Sequence, residues 1–250
     1  MLYIGCVSIS SYKGHTIFAF ILSLFMFYDP LAIALAVISA NIPDFDHDFK
    51  RNHVLTIIVL GALASLFLYF LGLPYYFGLV IILLGSMFLV SSHRGFTHSI
   101  LGAFLITILL SLFLFLGIGL SSYNLDFTNS TNLMFLLILI IALALLFLNI
   151  KLYPIFLLAI AALIIAINMG FIPPLKINLT ILAFSIFFGL FSHIILDSFT
   201  PSGIKAFIPF SDKKYYKKFG ILSLLSLIAI FYALFQGKLL FYLNFILGLI

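Results

Sequence analysis

The sequence predicts an all-α protein, a polytopic transmembrane helix bundle. Of its 250 residues, 65% are hydrophobic and 8% carry a charge, and the mean hydropathy is +1.35. Soluble domains carry about 25% charged residues, so a soluble domain of this composition would expose large apolar patches and aggregate. In lipid every backbone polar group needs an internal partner, and long apolar runs therefore form helices. The composition excludes a soluble enzyme, a nucleic-acid-binding domain and a disordered chain.

Apolar runs separated by short polar breaks define about eight to ten helical segments. We place them at 16–28, 30–41, 54–72, 75–91, 98–119, 132–149, 153–170, 178–197, 219–236 and 239–250. The first two hold about 12 residues each, roughly 18 Å of helix, whereas the hydrocarbon layer is about 30 Å thick. They are too short to span it, so we expect a helical hairpin broken at Asp29-Pro30 and buried against longer helices. One integral membrane domain over residues 1–250 accounts for the whole pattern.

The acidic residues and the cysteine restrict the available chemistry. All 7 acidic residues are Asp, and the chain has a single Cys. Any general base or carboxylate ligand must therefore be an aspartate. The lone Cys6 excludes an intramolecular disulfide and a cysteine-rich metal site.

The polar breaks alternate between the two ends of the predicted helices, and the ionisable residues gather at one end. Counted from His15, that end holds His15, His47, His53, His93, His98 and His193 with Asp44, Asp46, Asp48, Asp197 and Asp212. It also holds all of the 12 Lys and Arg residues except Lys176 and Lys238. Under the positive-inside rule this end is cytoplasmic. We therefore expect a multi-pass protein of the cell (inner) membrane whose site faces the cytoplasm.

Two motifs have spacings that suit metal ligands. His193 and Asp197 are four residues apart, so on a helix they project from one face, one turn apart. In the segment His93-Arg94-Gly95-Phe96-Thr97-His98, Gly95 lets the backbone bend and Thr97 can cap the next helix. The two histidines can then converge across the turn. Taken alone, the first pair also fits a helix-end ion pair, and the second fits a surface turn.

An acidic turn follows the hairpin. Pro43 ends the helix, so Asp44, Asp46 and His47 lie on irregular backbone. Carboxylate and imidazole ligands together suit zinc, manganese or iron, whereas Phe49 stands where a calcium-binding EF-hand loop needs Gly. Alone, this turn also fits an interfacial helix cap.

Four further residues are interpreted by their neighbours. His15 is interpreted as a ligand because other His and Asp clusters lie at the same end. His53 lies in a basic stretch and is interpreted as a residue without a metal role. Arg94 and Lys13 could bind a phosphate, the first by its bidentate fork and the second as a point charge.

Taken together and in order, these motifs resemble the YdjM-like family of membrane-bound metal-dependent hydrolases. The matching residues are Lys13-Gly14-His15, the Pro-Asp-x-Asp-His of 43–47, His93 to Ser99, and His193-x-x-x-Asp197 followed by Thr200-Pro201-Ser202-Gly203. The resemblance covers a core of about 13–220. That family is similar in ligand pattern to the zinc-dependent phospholipase C and single-strand nuclease superfamily, whose helical sites hold two or three metals. The resemblance implies the ligands His15, Asp44, His47, His93, His98, His193 and Asp197, with Asp46 as an eighth candidate.

We therefore expect a membrane-embedded phosphoesterase that uses a divalent metal, zinc before manganese or iron, on a lipid or lipid-linked phosphate. Asp46 or Asp48 would take a proton, while Arg94 and Lys13 would offset phosphoryl charge. Its partners would be membrane lipids and a phosphate-bearing lipid substrate, with no nucleic acid. Two alternatives stay open: a non-catalytic metal-binding protein that docks partners, and a metal or proton transporter. A transporter site should lie near the midplane, whereas this cluster lies at one face.

Overall fold

The computed structural model describes residues 12–27, 29–46, 51–119, 130–169 and 179–230. Within these ranges the chain is a helix bundle, and its only β-pairing is a bridge between Ile204 and Tyr215. The helices are α1 (Tyr12–Met26), α2 (Pro30–Ser39), α3 (Arg51–Phe70), α4 (Tyr76–Val90), α5 (Ile100–Gly119), α6 (Ser130–Phe147), α7 (Tyr153–Asn168) and α8 (Leu179–Ser198), followed by α9 over 217–230. The predicted all-α bundle is confirmed. The predicted run at 239–250 lies outside the described residues.

Three of these helices, α3, α5 and α8, are long and apolar enough to cross a membrane. Large apolar side chains on the outside of the bundle are exposed, among them Leu63, Phe67 and Phe104. Such a surface would aggregate in water, and it suits contact with lipid chains.

The short N-terminal hairpin forms as expected, from α1 and α2. Asp29 caps α2, because its Oδ1 accepts a hydrogen bond from the Leu31 N–H at 2.8 Å, and Pro30 occupies the first helical position. Leu31, Leu35 and Ala36 are fully buried. This ten-residue helix is therefore a core element of the bundle.

Helix α2 packs closely on α8 at Gly189. A Cβ atom added at Gly189 would overlap the carbonyl oxygen of Ala36, so only a glycine lets the two backbones approach this closely. One turn further along α8, His193 lies beside the carbonyl end of α2 at Ala40.

The ends of several elements meet at one end of the bundle. The 3-10 turn Pro43–Asp46 follows α2, and the 3-10 turn Phe96–His98 precedes α5. These two turns contact each other, and the first residues of α1 and the last turn of α8 lie beside them. Chain segments far apart in sequence are thereby brought into one polar region.

Candidate metal centre

Five predicted ligands lie together at this end of the bundle. His15 comes from the first turns of α1, Asp44 and His98 from the two 3-10 turns, and His193 and Asp197 from the end of α8. They form two overlapping groups, the first of His15, His193 and Asp197 and the second of Asp44, His98 and His193. Within each group the ligand atoms lie within 4.8 Å of one another. Four of the five are almost fully buried, and the Asp44 side chain is 26% exposed.

The Asp197 carboxylate lies at the centre of the cluster. Its Oδ1 lies 3.4 Å from His15 Nε2, and its Oδ2 lies 3.5 Å from the Nε2 atoms of both His98 and His193. Asp44 approaches the same two nitrogens, since its Oδ1 lies 3.8 Å from His98 Nε2 and 3.7 Å from His193 Nε2. These distances exceed the usual hydrogen-bond range of about 2.7–3.2 Å.

The Nε2 atoms of His15, His98 and His193 are buried, and none has a hydrogen-bond partner within the described ranges. Burying an unsatisfied polar atom is costly, and buried carboxylates need a compensating positive charge. A divalent cation between these nitrogens and the carboxylate oxygens would satisfy both requirements. The donor set therefore fits a metal ion.

Hydrogen bonds to the opposite ring nitrogens fix two of the imidazoles. His193 Nδ1 lies 2.7 Å from the Ala40 carbonyl oxygen, and because a carbonyl only accepts, this nitrogen donates. His98 Nδ1 lies 3.2 Å from both the Thr97 hydroxyl oxygen and Asp46 Oδ2, and because that hydroxyl donates its own proton to Asp46, Nδ1 is the donor toward these oxygens. The Nε2 lone pair of each neutral ring is then directed at the cluster. Metal-binding histidines are commonly held by such second contacts.

The structure gives Asp46 a different position from the one expected of a general base or an eighth ligand. Its Oδ1 lies 3.0 Å from His93 Nδ1, while its Oδ2 accepts hydrogen bonds from His98 Nδ1 and from the Thr97 hydroxyl. The carboxylate is buried and lies behind the imidazoles. Asp46 therefore orients histidines in this arrangement.

His93, a predicted ligand, lies in neither of the two groups. Its Nδ1 is hydrogen-bonded to Asp46, its side chain is 38% exposed, and it lines a pocket of about 650 Å³ together with Asp44 and Arg94. His47, another predicted ligand, and Asp48 lie outside the described residues. His53 lines the same pocket but lies in neither metal-ligand group, and its Nε2 lies 3.0 Å from the Leu146 carbonyl oxygen.

The two predicted phosphate-binding residues occupy different places. Arg94 lines the pocket, donates from Nη1 to the Thr200 hydroxyl at 3.2 Å, and has its Nε 3.8 Å from Asp197 Oδ2. Its backbone has a positive φ of 58°, which is uncommon for a non-glycine residue and concentrates at functional sites. Lys13 is exposed and lines a separate apolar groove. Within the described residues, no hydrogen bond or ion pair joins it to the cluster.

The carboxylates of the cluster favour positive charge at His98. Burial lowers the pKa of His98, but the nearby carboxylates of Asp44, Asp46 and Asp197 outweigh it and raise that pKa to about 10. A metal ion bound at Nε2 would take the place of that proton. Burial raises the pKa of Asp44, and the charges of His193 and His98 reverse this effect, so that its pKa falls below its ordinary value. The pKa of Asp46 is also lowered, since hydrogen bonds from His98, Thr97 and His93 outweigh its burial.

Sequence reasoning did not identify three of the groups that support the site. These are the Ala40 carbonyl, the Thr97 hydroxyl as a partner of Asp46, and the Thr200 hydroxyl that holds Arg94. The last four carbonyls of a helix lack an intrahelical partner, so the end of α2 offered a signal for the first. Thr200 belongs to the Thr-Pro-Ser-Gly segment that follows Asp197.

These features define a helical membrane protein with buried His/Asp groups that could hold a metal ion. Residues 127–249 match the model of a family described as YdjM inner membrane protein. This match confirms the resemblance to that family, and it includes His193, Asp197 and the Thr-Pro-Ser-Gly segment. The motifs of the first 98 residues lie before it. No curated protein and no solved structure matches the chain.

Proposed function

We propose that this protein is a membrane-embedded metal-dependent hydrolase that cleaves a phosphoester in a lipid or lipid-linked phosphate at the cytoplasmic leaflet. The observation that carries the proposal is the convergence on two aspartates of three buried imidazole nitrogens that have no hydrogen-bond partner among the described residues. The resemblance to zinc-dependent phospholipases C, in ligand pattern, supports the reaction class.

The geometry of Asp197 suits a site with more than one ion. Its two oxygens face different histidines, His15 on one side and the pair His98 and His193 on the other. Asp197 could therefore help to hold two ions. His15 would hold one ion, His98 with Asp44 a second, and His193 either of them. Nitrogen and oxygen ligands in a compact cluster suit zinc, and bound zinc supplies Lewis acidity and an activated water.

The protein's own side chains would bind the phosphate and move protons. The Arg94 guanidinium lies between the pocket and the cluster, where it can bind phosphoryl oxygens and offset their developing charge. His93 faces the pocket while Asp46 holds its Nδ1, an arrangement that orients the ring for proton transfer at Nε2. Asp46 would thus act through His93 and His98.

The position of the cluster supports a lipid substrate. It lies at the end of the bundle that carries most of the basic residues, which the positive-inside rule assigns to the cytoplasm. A site at the end of membrane helices lies near the depth of lipid headgroups, where phosphates are concentrated. Ionisable groups at membrane depth are expensive and mark functional sites.

The test is hydrolysis by the full-length protein in vesicles that contain a mixed panel of phospholipids and lipid-linked phosphates. Products are read by mass spectrometry, and metal content is measured on the same preparation. We expect the wild type and the control Asp212→Asn, which changes an exposed residue, to release headgroup or phosphate, and Asp197→Asn to release none. Bound metal without release from any lipid would contradict the hydrolase and favour a protein that docks partners.

A further inference from the structure

A long apolar groove of about 720 Å³ lies beside the candidate metal centre. Helices α1, α2 and α7 form its walls, with side chains such as Ile17, Phe20, Ile33, Ile155 and Phe156. Tyr12 and Leu148 line both this groove and the pocket that contains Asp44, His93 and Arg94. The groove therefore adjoins that pocket at one end.

The groove has about the depth of one leaflet. Its lining residues run from Leu152, directly before α7, to Leu163 on α7, which corresponds to roughly 16 Å at 1.5 Å per residue. The hydrocarbon layer is about 30 Å thick, so one leaflet contributes about half of that. A single hydrocarbon chain from the leaflet nearest the metal centre matches this depth.

Positive charge lies at the end next to the metal centre. Lys13, at the start of α1, and Lys151, in the 3-10 turn that precedes α7, both line the groove and are exposed. Among the described residues no acidic side chain lines the groove, and neither ammonium group forms an ion pair there. A phosphate at this end would be near two lysines, while the chain attached to it would contact only apolar walls.

We propose that this groove binds one hydrocarbon chain of an anionic phospholipid whose phosphate lies between the two lysines and the metal centre. This inference rests on the proposed function and names its substrate class: a phosphate that carries a long hydrocarbon chain, rather than a soluble phosphoester. Lys13 then binds the headgroup, which explains why it lies away from the cluster.

The groove is tested by photo-crosslinking, which needs no turnover. Full-length protein is placed in phosphatidylcholine vesicles that contain phosphatidylglycerol with a diazirine on one acyl chain, and labelled peptides are mapped by mass spectrometry. We expect labelling of 152–163 and 30–37 to exceed that of the lipid-exposed residues Leu63 and Phe67 on α3 by at least tenfold. Unlabelled phosphatidylglycerol should compete, and phosphatidylcholine should not.

Matched variants identify the groove itself. Ala159→Phe adds a ring inside the groove, whereas Ala161→Phe makes the same change on the same helix outside it. We expect the first to reduce labelling at least fivefold and the second to leave it unchanged. The double variant Lys13→Gln/Lys151→Gln changes only exposed side chains, so it remains informative if Ala159→Phe fails to fold. It should remove the preference for phosphatidylglycerol.

Two results would overturn the groove proposal: labelling spread evenly over the lipid-exposed helices, as for bulk lipid, or equal labelling of the two phenylalanine variants. The outcomes also distinguish failure of the groove proposal from failure of the hydrolase proposal. Site-specific labelling without lipid hydrolysis would leave the groove standing, and hydrolysis of a phosphoester without site-specific labelling would leave only the hydrolase standing.

Discussion

Asp46 offers a graded test of how the metal centre is built. Three donors share its two oxygens: His93 at Oδ1, and His98 and Thr97 at Oδ2. In Asp46→Asn, the amide oxygen can stay on His98 and Thr97 while the amide nitrogen faces His93. The variant then keeps the orientation of His98 but makes its hydrogen bond neutral. Asp46→Ala removes every one of these contacts.

The expected losses follow from these contacts. A hydrogen bond to a charged group contributes about 1.5–3 kcal/mol and a neutral one about 0.5–1.5 kcal/mol, so Asp46→Asn should cost about 1–1.5 kcal/mol of metal binding, close to tenfold in affinity. Asp46→Ala should lose about 100-fold, the upper end for a residue behind a metal ligand. Competition with a chromophoric zinc chelator measures both, with Asp212→Asn as the control. Unchanged zinc affinity in both variants would show that Asp46 does not support metal binding. If turnover fell at the same time, Asp46 would instead be a direct general base.

Three further outcomes are expected. Asp197→Asn should lower bound metal to less than a tenth of the wild-type content by elemental analysis, because the central carboxylate loses its charge. Metal content equal to that of the wild type would contradict a ligand role for Asp197. Gly189→Ala should destabilise the fold by about 1–3 kcal/mol through overpacking against Ala36, seen as a lower thermal midpoint in detergent. Gly119→Ala should change little, because its added Cβ meets no atom of the described residues within 4 Å. Equal midpoints would contradict the close packing. Arg94→Gly should lower lipid turnover about 100-fold, as loss of one charge-stabilising donor does. The thermal midpoint should change little, because glycine adopts positive φ freely. Full activity would exclude Arg94 from phosphate binding.

Much of the fold follows from periodicity and length. The apolar runs fix the helices because lipid leaves the backbone no other way to satisfy its hydrogen bonds, and the shortness of the first two runs predicts the buried hairpin. Alternation of the ends then predicts that His15, the turn at Asp44, the turn before α5 and the end of α8 share one region. The structure brings side chains from all four together.

The sequence could not predict which residues of the site face the metal position and which lie behind the imidazoles. Asp44 and Asp46 have the same chemistry two residues apart, yet a 3-10 turn directs one at the Nε2 atoms and the other at the Nδ1 atoms behind them. His93 and His98 also take different positions, because their turn buries the His98 ring and leaves the His93 ring partly exposed. Spacing predicts that such residues meet, whereas only the turn geometry decides which atoms face the cluster.

X-ray absorption by the zinc-loaded full-length protein shows whether the buried imidazoles bind the metal. We expect a shell of nitrogen and oxygen ligands at about 2.0–2.1 Å with the multiple-scattering signature of imidazole, and a weaker imidazole signature in His193→Ala. A shell of oxygen alone, as for zinc held only by water and surface carboxylates, would contradict this expectation.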